Sequence, residues 1–173
     1  MQTISSLFQW FMPSGKHTSA TPAMPLRELK KHRRISYSPT LVGSLKDDHE
    51  ELLATYGEIA TLLRTERYDE ISNHLRDFKN QLDVHLLNEN LRFYCYLEEH
   101  LAGSPNELEI IKDFRRDMNE ISRIVVSFLR KYRMAGVSSA NRETFGSEYR
   151  EIGAALTSRI VREESGLYSL YKP

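Results

Sequence analysis

One cysteine, Cys95, is present among 173 residues, so no internal disulfide framework holds the chain, and a reducing compartment suits it. No apolar run reaches the roughly 20 residues of a membrane-spanning helix. The opening stretch, MQTISSLFQWFMPSG, lacks the basic start and long apolar core of a secretory signal. The expected location is therefore the cytoplasm. There is no hairpin signal and no Gly-rich phosphate loop, which argues against a β fold and against nucleotide chemistry of the P-loop kind. CxxC, HExxH and GxSxG are all absent, and nothing else offers a nucleophile with an oriented base. Net charge is zero, with 24 basic and 24 acidic residues. What remains, 40% hydrophobic and 28% charged residues, suffices for one globular domain without cross-links.

The balanced charge is unevenly placed. Lys16, Arg27, Lys30, Lys31, Arg33 and Arg34 face only Glu28 in the first 40 residues, a net of +5, so the remainder carries −5. Residues 12–25, MPSGKHTSATPAMP, are rich in Pro, Ser, Thr and Gly and read as a linker. Residues 1–37 are thus expected to be a flexible, disordered basic segment, carrying a short aromatic cluster at Phe8, Trp10 and Phe11. RRIS at 33–36 has the look of a basophilic kinase site but is too short to carry weight. Such a segment suits contact with nucleic acid, anionic lipid or an acidic protein, or simple solvation, and His17 and His32 within it are expected to be solvated.

From Ser38 onward the pattern is helical. Ser38-Pro39 reads as a helix start, and a first helix follows to about Arg64 with Leu45, His49, Leu52, Tyr56, Ile59 and Leu63 inward. A second runs from about Asp69 to Ala102, with Phe78, Leu82, His85, Glu89, Phe93 and Tyr96 on its stripe, and Gly103 as its cap. The third extends to about Met134 through Ile111, Phe114, Met118, Ile121 and Val125. The fourth runs from about Arg142 to Tyr168 through Tyr149, Ile152, Leu156, Arg159 and Glu163, with Gly146 and Gly153 weakening it locally. Short connections between long helices predict an all-α fold over 38–173, an antiparallel up-down-up-down four-helix bundle.

Polar residues interrupt these stripes at one level. With the first turn centred near Glu66–Arg67, His49 and His85 are almost equally far from it, so antiparallel helices bring them side by side. Glu89 maps onto Met118 across the second turn. With the third turn near Ser138, Met118 maps onto the vicinity of Arg159, with Glu163 one turn on. Buried polar groups need partners, so convergence of five points to a site rather than to accidents of packing. His74 and His100 are expected at the surface or bundle ends, Cys95 without redox duty, and the Tyr and Phe stripe in the core.

The layout resembles the hemerythrin-like HHE domain. That family takes one His from its first helix, a His-x-x-x-Glu pair from the second, histidines from the third and a His-x-x-x-Glu/Asp pair from the fourth. Together these hold a di-iron centre with an oxo or hydroxo bridge. LKDDHEELL carries His49, and HLLNE carries His85 and Glu89. RIVREE stands at the fourth motif, with Arg159 in the histidine position and Glu163 or Glu164 after it. The third helix, DFRRDMNEISRIVVSFL, offers no histidine. The resemblance implies a metal site of His49, His85, Glu89 and Glu163, holding iron as one ion or two. The departures imply its replacement by a buried ion network of Arg159, Glu89 and Glu163, with no metal at all, because a guanidinium keeps its charge and competes for the carboxylates. The fourth helix, EIGAALTSRIVREE, is also similar to that of the Rsd/AlgQ regulators, which bind the primary sigma factor of RNA polymerase.

Catalysis would need open coordination positions on a bound metal, so the chain is expected not to be an enzyme. The expected function is a hemerythrin-like regulatory or interaction module with a partly degenerate metal site and a protein partner. An iron-binding oxygen or redox sensor and an Rsd-like sigma-factor regulator are the alternatives.

Overall fold

A computed structural model describes residues 35–173. The expectations for the basic segment and its aromatic cluster lie outside the described residues. Helix α1 spans Leu41–Arg64 and α2 spans Tyr68–Asn88. A π turn follows at Glu89–Tyr94, and α3 continues it at Cys95–His100. Helix α4 spans Pro105–Ala135, α5 spans Arg142–Ser165, and a 3-10 turn at Leu167–Leu170 ends the regular structure. Four long helical segments thus make up the fold, and there is no strand among the described residues. None of their helices is long and apolar enough to cross a membrane.

Some ends differ from the sequence reading. Ser38 caps no helix by its side chain: α1 begins at Leu41, whose N–H reaches the Ser38 carbonyl across a turn, while the Ser38 N–H donates to the Tyr171 hydroxyl at 3.0 Å. Pro105 does open α4, in the first-turn position where its missing N–H costs nothing. The left-handed glycine cap is found at Gly136 (φ 69°) after α4, not at Gly103. Helix α5 stops at Ser165 rather than Tyr168.

Contacts between α1 and α5 step from Glu66–Arg142 through Tyr56–Tyr149 to His49–Glu163. Those between α4 and α5 step from Lys131–Glu148 to Asp117–Arg162, which centres their turn between Ser139 and Ala140, slightly beyond the expected Ser138. The apolar stripes bury two cores. The larger contains Leu52, Tyr56, Phe78, Leu82, Met118 and Leu156; the smaller contains Leu45, Phe93, Tyr94, Ile111, Leu167 and Tyr171. Ile35 packs against the smaller core and Tyr37 stacks on Tyr171. On α1 the inward residue of the last turn is Leu62, with the expected Leu63 only partly buried.

In the larger core the rings of Tyr56 and Tyr149 stack at 4.1 Å, and each hydroxyl donates to the other's backbone carbonyl. This double clasp explains Gly153. A methyl group there would stand 2.8 Å from Tyr56 Cε1, and the ring cannot move without breaking its hydrogen bond. Gly153→Ala is therefore expected to lower stability by about 1–2 kcal/mol, because overpacking outweighs the better helix propensity of alanine. Gly57→Ala on the open face of α1, with nothing within 4 Å, is expected to raise stability by up to about 1 kcal/mol. Urea denaturation of both variants checks the opposite signs.

Candidate metal centre

Between the two cores lies a polar layer. On α1 it falls between Leu45 and Leu52, on α2 and the π turn between Leu82 and Phe93, and on α5 between Leu156 and Leu167. Its members are His49, His85, Glu89, Arg159 and Glu163, all buried. The helical step of three or four residues that makes each stripe apolar elsewhere delivers these side chains to one place.

His49 and His85 meet as the turn length requires, with ring centroids 4.6 Å apart. Each presents Nδ1 to a carboxylate at the edge of the layer: His49 to Glu164 at 2.9 Å and His85 to Asp48 at a longer 3.4 Å. A carboxylate on one ring nitrogen fixes the orientation of the imidazole and leaves the other nitrogen for a ligand. The Nε2 of His49 then faces Glu163 Oε2 at 3.4 Å. His49, His85 and Glu163 offer ligand atoms that lie within 4.8 Å of one another, all on buried residues.

Arg159 lies beside this group without entering it. Its Nε donates to Glu163 Oε1 at 2.5 Å, one Nη to the Phe114 carbonyl at 2.7 Å and the other to the Tyr94 hydroxyl at 2.8 Å. Its guanidinium also lies over the Phe114 ring, 4.6 Å from the centroid. Glu163 is therefore divided, one oxygen on the guanidinium and the other toward His49. Of the expected ion network, Arg159 and Glu163 are directly bonded, and Glu89 is coupled to Arg159 by charge alone. Glu89 accepts no hydrogen bond from Arg159, nor from any described residue, though its carboxylate is completely buried. The α4 group that meets Arg159 is Phe114 rather than Met118, because the long arginine side chain reaches along the bundle to a backbone carbonyl, while Met118 packs in the larger core.

The electrostatics follow from this placement. Burial drives the Glu89 carboxyl well above the usual carboxylate range, and the neighbouring Glu163 charge adds to it against a weaker pull from Arg159. Glu163 is also disfavoured by burial, yet its contacts with His49 and Arg159 bring it below the usual range. Burial would lower His49, but hydrogen bonds and charge from Glu163 and Glu164 raise it on balance. His85 is lowered by burial and by His49, with Glu163 and Asp48 opposing.

Such a set suits a cation of the first transition row or zinc: two imidazoles and a carboxylate make three ligands, and Glu89 is a further buried carboxyl that no basic side chain hydrogen-bonds. Burial and the neighbouring Glu163 favour its protonated form, and a bound cation would favour the ionised one. His74 lies part-buried against Glu58, and His100 stacks on Tyr96 at the other end of the second segment.

Three participants had no periodic signal in the sequence. Tyr94 enters because the π turn brings two successive residues, Phe93 and Tyr94, into the core. Tyr168 enters after the break at Gly166 and stacks on His49 at 5.9 Å. Asp48 is legible only as the acidic neighbour of His49.

A model of the hemerythrin HHE cation binding domain matches residues 40–171. No curated protein sequence and no solved structure matches the chain. The similarity of the fourth helix to the Rsd/AlgQ regulators receives no support from any of the three comparisons. Most of the chain falls within the matched span, and the layer of His49, His85, Glu89 and Glu163 lies inside it: the chain belongs to the hemerythrin HHE cation binding domain family.

Proposed function

We propose that this protein is an up-down-up-down bundle that holds one metal ion, iron being the one its family implies, and acts as a non-enzymatic regulatory module. The ligands are His49, His85 and Glu163, with Glu89 as the adjoining carboxylate, and Arg159 takes the place of a second cation. The observation that carries this reading is the meeting of three buried ligand atoms within 4.8 Å of one another, beside a fully buried Glu89 carboxyl that no basic side chain hydrogen-bonds. A bound ion would supply the positive charge that this carboxylate lacks and couple occupancy to the stability of the fold. Opposite-sense stepping of the contacts between α1 and α5 supports the topology.

A guanidinium bonded on all three of its nitrogens is a fixed part of the wall. It supports one ion rather than two, and it removes the paired-metal arrangement on which oxygen chemistry of a di-iron kind depends. A regulatory role is further supported by Val84, Leu87 and Leu91, exposed apolar residues on the segment that carries His85 and Glu89.

The deciding experiment is metal content. Protein purified from iron-supplemented cells without chelator, analysed by mass spectrometry, is expected to carry one ion per chain. Two irons per chain would overturn the role given to Arg159. None, even after anaerobic reconstitution, would overturn the metal reading and leave a closed ion network.

A further inference from the structure

We infer that Tyr168 supplies a phenolate ligand to the ion held by His49, His85 and Glu163, and so directs the site toward a hard, ferric ion. This rests on the single-ion reading above and adds a ligand to it. The hydroxyl of Tyr168 lies 3.4 Å from His49 Nε2, and Glu163 Oε2 lies 3.4 Å from the same atom. Neither distance makes a good hydrogen bond, whose usual span is about 2.7–3.2 Å. Both match a different geometry. Two donors each about 2.1 Å from a shared ion, at a tetrahedral angle, stand about 3.4 Å apart. Each oxygen thus stands from the nitrogen at the spacing of two ligands of one ion.

The surroundings hold the phenol in place. The Tyr168 ring is buried, runs nearly parallel to the His49 ring with 9° between their planes, and meets the edge of Phe93 at 5.1 Å. Its backbone belongs to the 3-10 turn that follows α5, so the break at Gly166 is what returns this side chain to the layer. Tyr94, the other phenol nearby, already accepts a hydrogen bond from Arg159 and lies on the guanidinium side. Tyr168 is the phenol beside His49. An anionic oxygen ligand favours a harder, more highly charged ion than imidazoles alone do. Coordination replaces the phenol O–H bond by an O–metal bond, and the proton is released to solvent.

The test uses the full chain in two loadings. Zinc loading, counted by mass spectrometry, reports whether the ion site exists. Loading with ferric nitrilotriacetate, followed by visible absorption and resonance Raman spectroscopy, reports the phenolate. The expected result is one zinc per chain in both wild type and Tyr168→Phe, with a phenolate-to-iron band in the wild type alone and a ferric affinity about tenfold or more weaker in the variant. Tyr94→Phe is expected to keep the band. A band that survives in Tyr168→Phe, or a wild type that binds ferric iron without one, overturns the role of Tyr168 while the ion site stands. A wild type that takes up neither zinc nor iron overturns both readings. Should Tyr168→Phe fail to fold, the wild-type Raman spectrum with ring-deuterated tyrosine decides whether a phenolate is bound, and Tyr94→Phe decides which one.

Discussion

Arg159→Ala is expected to lower the stability of the metal-free protein by about 3–5 kcal/mol, measured by urea denaturation at neutral pH. The side chain is buried and makes three hydrogen bonds, one of them to a buried carboxylate. Its removal does more than delete those bonds. Glu163 loses the charge that stabilises its ionised form, and it is left beside Glu89, a second buried carboxyl. The Glu163 carboxylate then has only His49 as a counter-charge, beside a Glu89 carboxyl that burial already holds toward its protonated form. Arg159→Lys is expected to recover little, because one ammonium on a flexible stem cannot span a carboxylate, a carbonyl and a phenol in three directions. The loss should shrink in mild acid, where the carboxylates take up protons. A loss below about 1 kcal/mol, within the range of a solvent-exposed pair, would remove the guanidinium from its assigned place.

Glu89→Gln is expected to act in opposite directions with and without metal. In the metal-free protein the Glu89 carboxyl binds its proton more tightly than it does in the unfolded chain. The stability linked to it is therefore fully present below the ordinary carboxylate range and is lost as pH rises through the raised folded-state value. A glutamine does not titrate, so the variant should lack this decline and be more stable than wild type at neutral pH by about 1–3 kcal/mol, the cost of an unsatisfied buried group. With metal the order reverses, because the ionised carboxylate is then the useful form. The variant should bind metal about 100-fold or more weakly, at the upper end of what even an outer partner of a metal site costs when lost. Thermal denaturation across pH 5–8, with and without added zinc, separates the two. A glutamine variant less stable than wild type in the absence of metal would mean that Glu89 makes a favourable contact in the fold, and the orphaned carboxylate would lose its meaning.

Much of the layer was legible because helical spacing and turn length are simple geometry. His49 and His85 lie nearly equal distances from a short turn, and their rings meet. The pairing of Arg159 with Glu163 was equally open to reading, since residues four apart share a helical face. The opening of α4 was legible from Pro105, and the ends of α1 and α4 from the end of each stripe. The misses share a cause: each involves backbone or side-chain reach that a fixed period cannot express. A π turn widens the helix by one residue, so Tyr94 joins Phe93 in the core although an even helix would turn it about 100° away. Tyr168 returns to the layer only because α5 breaks at Gly166. The Phe114 contact depends on the length of an arginine side chain, which a map of helix levels ignores. That Glu89 takes no hydrogen bond from Arg159 could not be foreseen either, since it depends on the whole surrounding layer.

The polar layer between the two cores also acts as an alignment key. Leucine stripes alone tolerate a slide of one helix along another by a full turn, about 5.4 Å, because one apolar side chain replaces the next. Here such a slide of α1 would draw His49 away from Glu163 and His85 and set an imidazole against the leucines of the neighbouring core. A shift of α5 would tear the guanidinium from the Phe114 carbonyl and Tyr94, stranding a permanent charge in hydrocarbon. Every misaligned stacking of these helices thus carries a heavy electrostatic penalty that the correct one escapes. A chain of this composition, with uniform and interchangeable apolar faces, gains from that layer a single way to zip together.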